Sequence, residues 1–338
     1  MNTADVLKKI CESPYETASD SSAHRLITAL MEPYCERIET DALGNIICTV
    51  KSEGEKTVAL SAHMDKIGLT VTSVDKKTGM LSLAKTGGVD MRTLSACRVT
   101  VQGKKLLPGC ITSTPPHLTT GDRKKVTPMD CLFCDTGLPF EEVSQYVSVG
   151  DTVLYHSEVT PLINGRFTGA YMDNSAGITA VIRAVKRLKE EGTKNRIIAV
   201  FTTREEIGKG GAAAVFHNIA PELALITDVS FASAPGIPSE MSSPLSSGAM
   251  ICISPVLQKD ISYKLRDTAE KYNIPYTLEI MASRTMTDSD VAVTAGDGIL
   301  TGLVSIPLLN MHTPVETLDI KDVEAVSDIL FYASKEEI

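Results

Sequence analysis

The 338-residue chain has no excess of basic residues: 33 Lys and Arg stand against 42 Asp and Glu, a formal charge of −9. A phosphate backbone calls for a basic surface, so nucleic acid is not an expected partner. No apolar run approaches the ~18 residues of a membrane-spanning helix. No basic-then-apolar leader opens the sequence, which begins Met-Asn-Thr-Ala-Asp. Its eight cysteines are therefore expected as reduced thiols of a cytoplasmic protein. Cys131-Leu-Phe-Cys134 lacks the second Cys-x-x-Cys that a zinc ribbon needs, and its surroundings read as a strand. Internal repeats and low-complexity tracts are also missing. What remains, 43% hydrophobic and 22% charged, is an ordinary globular composition. Its length suggests two domains at about 150 residues each.

The N-terminal segment carries helical spacing at Leu26, Ile27, Leu30, Met31 and Tyr34, after candidate caps Ser21 and Ser22. His24, near the start of that helix, reads as a surface or capping residue. Strands follow at 45–50 and 57–62, the second ending at His63. From about Asp65 to Pro161, short β-branched runs alternate with Gly, Pro and Lys, and the first convincing helix is 140–146. This predicts a small antiparallel barrel or sandwich inserted into the chain. Beyond Asp173 the pattern is α/β. Ile178, Val181, Ile182, Val185 and Leu188 form one helical stripe, stopped at Gly192. The runs 196–203, 223–227, 250–253 and 302–306 read as strands covered on both faces. Val323, Val326, Ile329 and Leu330 mark a closing helix.

Polar residues recur where these strands end. His63, the doublet Glu205-Glu206, and Asp228 each directly follow an apolar run; Asp173 precedes a helix and His312 follows the last strand. In an open α/β sheet, ligands gather beyond the carboxyl ends of strands. His63, Asp173, Glu206, Asp228 and His312 supply two imidazoles and three carboxylates, the donors that two adjacent divalent cations need. Asp173 can bridge cations ~3.5–4 Å apart. His63 and Asp228 would complete one, Glu206 and His312 the other. Mixed imidazole and carboxylate donors suit Zn²⁺, Co²⁺ or Mn²⁺ better than Mg²⁺ or Ca²⁺. Asp65 is placed to accept the second imidazole N–H of His63. Glu205 is left to activate the water shared by the two cations and return its proton to a leaving amine.

Each string alone has a plain structural explanation. A strand-end His is usually structural, Asp173-Asn174-Ser175 is a good helix cap, Glu205-Glu206 could be a solvated pair, and His312 before Pro314 could punctuate a loop. Five such coincidences at strand edges are far less probable than any one.

The ordered strings resemble the tetrahedral (TET) aminopeptidases, a family that includes glutamyl and deblocking aminopeptidases and endoglucanase-M-like proteins. The matching segments are Ser61-Ala-His-Met-Asp65-Lys-Ile-Gly68, Gly87-Gly-Val-Asp90, Pro115-Pro-His-Leu118, Ala170-Tyr-Met-Asp173-Asn174, Glu205-Glu-Ile-Gly208 and Met311-His312-Thr-Pro314 with Glu316. The resemblance implies a zinc-exopeptidase-like mixed sheet flanked by helices. Residues 1–66 and 162–338 would form the catalytic domain, and 67–161 an inserted β domain serving oligomerisation and substrate access. It implies metal ligands at His63, Asp173, Glu206, Asp228 and His312, a general base at Glu205, a His-orienting carboxylate at Asp65, and a homo-oligomer, usually a dodecamer. A cis peptide after Asp173 is also typical of the wider clan. The chain departs from the family at Ser175, at Leu309-Asn310 and at Ser246-Ser247-Gly248-Ala249. Met286-Thr287-Asp288 stands in place of a Gly-Thr-Asp string, with Asp288 the expected substrate contact.

The expected activity is release of N-terminal residues from short peptides by a dinuclear metal centre. Two rivals have different substrates or none: a dinuclear deacylase or amidase acting on N-acylated amino acids, and a catalytically silent assembly subunit. A glycosidase works with two carboxyls and no metal, which this donor set does not resemble.

Overall fold

The computed structural model describes residues 2–14, 22–115, 117–118 and 125–336; the candidate cap Ser21 and Pro116 of the Pro-Pro-His-Leu string lie outside them. Helices α1 (Thr3–Glu12) and α2 (Ser22–Met31) precede strands β1 (Arg37–Thr40), β2 (Ile46–Lys51) and β3 (Thr57–His63). There follow β4 (Gly68–Val74), β5 (Leu81–Thr86), β6 (Arg98–Gln102), β7 (Leu106–Ser113), β8 (Leu132–Asp135), α3 (Phe140–Tyr146) and β9 (Thr152–Tyr155). Next come β10 (Thr160–Pro161), β11 (Arg166–Gly169), α4 (Met172–Glu191), β12 (Arg196–Thr202), α5 (Gly210–Ile219) and β13 (Leu223–Phe231). The chain closes with β14 (Ala249–Ile253), α6 (Lys259–Lys271), β15 (Tyr276–Ile280), α7 (Ser289–Ala292), β16 (Leu300–Leu308), β17 (Glu316–Asp319) and α8 (Ile320–Lys335).

Eight strands form one mixed sheet in the order β1-β2-β12-β3-β13-β16-β14-β15. The central four, β12, β3, β13 and β16, are parallel. They are the continuous apolar runs of the sequence, because helices cover them on both sides. Helices α1, α4, α6 and α8 pack on one face, and α5 and α7 on the other. β14 runs antiparallel to β16, which makes the sheet mixed. β10, β11 and β17 make a second, small antiparallel sheet.

Between β3 and β10 the chain closes a six-stranded barrel, β4-β5-β8-β7-β6-β9, whose pairs are all antiparallel. Val71, Leu81, Val101, Ile111, Cys134 and Val153 fill its interior. Cys134 is thus a core residue, while Cys131 is exposed on the turn before β8. All eight cysteines are free thiols.

Two local expectations shift. The N-terminal stripe does not continue as one helix to Tyr34: α2 ends at Met31, and Pro33 sits in a separate 3₁₀ turn over Glu32–Tyr34, since proline offers no N–H to a continuing helix. Asp228 does not follow β13 but lies within it. β16 pairs with β13 as far as Phe231, setting Asp228 opposite Ser305. Among the described residues, no helix is long and apolar enough to cross a membrane.

Candidate active site

Parallel pairing of β12 with β3 sets Thr202 beside His63, the last residue of β3. The chain then turns sharply so that Glu205 and Glu206 stay at this edge. Arg204, with φ +62°, and Lys209, with φ +62°, adopt left-handed backbone. The turn is closed by Lys209 N–H donating to Arg204 O (2.6 Å) and Gly211 N–H to Thr203 O (3.1 Å). A Cβ at Gly211 would lie 2.1 Å from Thr203 O, so only glycine fits. Asp173 lies in the non-helical first turn of α4, followed by a cis peptide to Asn174. Asn174, rather than Asp173, caps the helix: its Oδ1 accepts Gly177 N–H (2.9 Å) and its Nδ2 donates to Thr227 O (2.9 Å). The Asp173 carboxylate is free for the site.

The structure brings all five sequence-nominated donors together. His63 Nε2 lies 3.1 Å from Asp173 Oδ1 and 3.7 Å from Asp228 Oδ1. His312 Nε2 lies 3.2 Å from the other oxygen of Asp173 and 3.4 Å from Glu206 Oε1. Asp173 therefore stands between two imidazoles, each with a second carboxylate beside it. His63, Asp173 and Glu206 offer ligand atoms all within 4.8 Å of one another. The residues present fit divalent cations: the nitrogens and oxygens converge, and they come from separate elements at one sheet edge.

The supporting contacts are partly unforeseen. Asp65 lies near the far side of His63, but its main-chain oxygen is nearer to Nδ1 (3.2 Å) than its carboxylate (3.6 Å). The carboxylate instead accepts the N–H of Glu205 (3.0 Å) and of Glu206 (3.1 Å), fixing the doublet. Glu316 is 2% exposed; its Oε2 accepts Asp173 N–H (3.1 Å) and its Oε1 His312 N–H (2.7 Å). The Met-His-Thr-Pro…Glu string contained Glu316, but a backbone-holding role leaves no mark in a sequence. Gly88 O, from the barrel segment, approaches His312 Nδ1 at 3.1 Å. A Cβ at Gly88 would strike that ring at 2.5 Å. Lys209 Nζ lies 3.1 Å from Glu205 Oε1. Asp288 is 2% exposed; its Oδ2 accepts Thr202 Oγ1 (2.5 Å), while its Oδ1 has no protein partner.

The charges explain what this arrangement demands. Burial disfavours protonation of His63, but Asp173, Asp228 and Asp65 outweigh it and lift the imidazole well above its ordinary range. His312 is pushed up to about 11 against its own burial, by Asp173 and Glu206. Asp173 is held well below the usual carboxylate range by the two imidazoles, despite burial. Burial raises Glu206 and Asp228. It pushes Glu205 up to about 8, with the charges of Asp228 and Asp288 adding to it. So much buried negative charge is costly without cations to face it.

Comparison with known proteins gives a consistent picture. The family model for M42 glutamyl aminopeptidase matches residues 44–329. A lysyl aminopeptidase of Pyrococcus furiosus is 30% identical over 328 residues, covering 95% of this chain and 93% of that protein. An aminopeptidase from the archaeon Desulfurococcus kamchatkensis superposes with a TM-score of 0.91 at 29% identity, covering 99% and 95% of the two chains. The Pyrococcus horikoshii TET1 peptidase, described as assembling into a tetrahedron or a large octahedral shell, gives 0.88 at 28% identity, over 99% and 100%.

Proposed function

This chain belongs to the M42 glutamyl aminopeptidase family of metal-dependent aminopeptidases, and from that membership we propose a role for each residue of the centre. Two divalent cations, Zn²⁺ or Co²⁺ and alternatively Mn²⁺, are held by His63, Asp173, Glu206, Asp228 and His312. The observation that carries this is Asp173, each of whose oxygens faces a different imidazole. When bound, the cations supply Lewis-acid polarisation of the scissile carbonyl and lower the pKa of the attacking water.

The protein's own groups do the rest. Glu205 takes a proton from the attacking water and delivers it to the departing amine, as a general base and then a general acid. Its burial favours holding that proton between the two steps, and Lys209 orients one of its oxygens. Asp65 fixes Glu205 and Glu206 through their backbone N–H groups. The unpaired Oδ1 of Asp288 supports a role for that residue in holding the substrate's α-ammonium.

Residues 67–161 act as the inserted domain that serves oligomerisation and substrate access. The Gly88 contact to His312 supports a direct tie between that segment and the centre. A dodecamer is the proposed assembly, by analogy with the Pyrococcus horikoshii TET1 shell. The free thiols support residence in the reducing cytoplasm. The test is metal content against turnover. Two equivalents per chain should accompany hydrolysis of aminoacyl amides, and a single tightly held ion at full activity would refute the dinuclear assignment.

A further inference from the structure

One deeply buried acid takes no part in these steps. Glu279 projects from β15 and is 6% exposed. Ser230 Oγ donates a hydrogen bond to its Oε1, while its Oε2 has no protein partner. The Ser305 hydroxyl is close enough to help stabilise the carboxylate, but it makes no hydrogen bond of normal geometry and is itself unpartnered. No cation answers this acid among the described residues: Ser230, Ser305 and Asp228 are the groups that bear on its ionisation. Burial, with the Asp228 charge adding to it, pushes the carboxyl up to about 7.

Position makes the orphaned oxygen informative. Asp228 and Ser230 are alternate residues of β13, so both project from the same face, about 7 Å apart along the strand. Ser305 lies directly opposite Asp228 on β16. Glu279 reaches over this row from the sheet's margin, and its carboxyl ends one pleat repeat beyond a metal ligand. A purely structural tie between β15 and β13 would account for Oε1 but not for Oε2, and a neutral glutamine would make it equally well. Burying a carboxylate with one oxygen unanswered is costly unless something cationic arrives.

We infer that Glu279 forms the acidic floor of the subsite for the side chain of the substrate's N-terminal residue, and that the enzyme selects lysine or arginine there. The inference rests on the aminopeptidase reading, which fixes where that side chain must start. The scissile carbonyl and the α-amine flank one Cα, held at the cations. The α-ammonium is held by Asp288, whereas the flexible stem of a lysine or arginine carries its charge a strand repeat further. Closing the subsite with that cation satisfies Oε2 by a charge-assisted hydrogen bond.

The test compares kcat/KM for lysyl, arginyl, norleucyl and leucyl p-nitroanilides on the metal-loaded enzyme and its Glu279→Gln variant. Norleucine keeps most of the lysine stem without the charge. The wild type should favour lysyl over norleucyl roughly tenfold or more, the range of a hydrogen bond to a charged group. Glu279→Gln should abolish that preference, mainly through KM, with norleucyl and leucyl turnover within about twofold. A wild type that prefers norleucyl overturns the inference. So does a variant that weakens all four substrates alike, which would mark an α-amine or purely structural role. Should the variant fail to fold, competitive inhibition of the wild type by free lysine against free norleucine decides the point. Absence of turnover on all four by the loaded wild type would sink the aminopeptidase reading itself, a result distinct from a changed preference.

Discussion

Glu316 Oε1 accepts the backbone N–H of His312 at 2.7 Å. Its other oxygen accepts that of Asp173 at 3.1 Å, so one buried carboxylate holds the main chain at two nominated ligands that are 139 positions apart in sequence. His312 is held with φ +65°, a conformation costing roughly 1–2 kcal/mol for an L-residue. That cost persists only where surrounding contacts over-determine it. Glu316→Ala should therefore weaken metal binding by roughly 10–100-fold, the usual effect of removing a group that orients ligands. Glu316→Gln, which keeps one acceptor, should lose less. Titration with Co²⁺ against a competing chelator measures both. Wild-type affinity in Glu316→Ala would show that the loop holds His312 unaided.

Glu205 lies beside the ligands without being assigned as one, which separates chemistry from binding. Glu205→Gln preserves shape and should keep the wild-type metal content. Its turnover should fall by about 10²–10⁴-fold, the usual contribution of a positioned acid–base group. Metal analysis and single-turnover hydrolysis on the same preparation make the comparison. Retained activity would remove Glu205 from the mechanism.

Asp65 answers to a different readout. Its carboxylate receives the N–H groups of Glu205 and Glu206, so Asp65→Ala frees a turn whose backbone is already left-handed at Arg204 and Lys209. Both metal affinity and turnover should drop, unlike in Glu205→Gln, where turnover alone falls. If Asp65→Ala keeps its metals and loses only turnover, the carboxylate acts on the chemistry rather than on the doublet.

The strand-end positions of His63 and of Glu205-Glu206 were visible in sequence because polar residues interrupt apolar runs where a parallel sheet must end. Asp228 was visible as a donor, but its place was not. An aspartate after the run 223–227 looks like a strand end, and only pairing with the whole of β16 carries β13 on to Phe231. The inserted barrel was legible from its alternating β-branched runs. Its closure was not, since closure depends on β4 meeting β9 across 77 residues of intervening sequence. Glu316 and Asp65 were seen as members of strings, but their bonds to backbone N–H groups depend on where loops cross in space. Glu279 left no signal at all. Its string Thr-Leu-Glu-Ile reads as an ordinary strand, and the acid matters only because Ser230 and Asp228 lie on the same face.

Metal binding should release protons. In the metal-free centre His312 titrates near 11 and His63 well above its ordinary value, so at neutral pH both imidazoles carry protons that an entering cation must displace. Affinity should therefore rise with pH, and chelators should strip the enzyme more readily under acid conditions. For the metal-free fold the sign is reversed. A histidine with a raised folded-state pKa stabilises fully below its unfolded value, near 6.5, and that contribution is lost only as pH climbs towards 11. Calorimetric titration in buffers of different ionisation enthalpy counts the protons directly. Uptake, or no exchange, at pH 7 would contradict the charge state drawn from the structure.

Lys66 offers a prediction about stability rather than chemistry. It follows Asp65 directly, yet its side chain reaches α1 and is 8% exposed. Nζ donates to the carbonyls of Ile10 (3.1 Å), Cys11 (3.0 Å) and Ser13 (2.8 Å) at the C-terminal end of α1. It also lies 4.6 Å from the centre of the Tyr171 ring. The last carbonyls of a helix have no partner within it, and a cation there meets both their hydrogen-bonding need and the negative end of the helix dipole. Lys66→Met keeps most of the stem volume and removes the one cationic donor that these three carbonyls share, Ile10 O keeping only the Ser13 N–H, at a cost of about 2–3 kcal/mol. Because α1 packs on α4, whose first turn carries Asp173, the loss should reach the metal site second. Melting temperature and amide-exchange protection in residues 3–12 should fall first, with metal affinity changing little while the fold persists. A variant that melts like the wild type but binds metal poorly would reverse that order and place Lys66 among the residues that hold the centre.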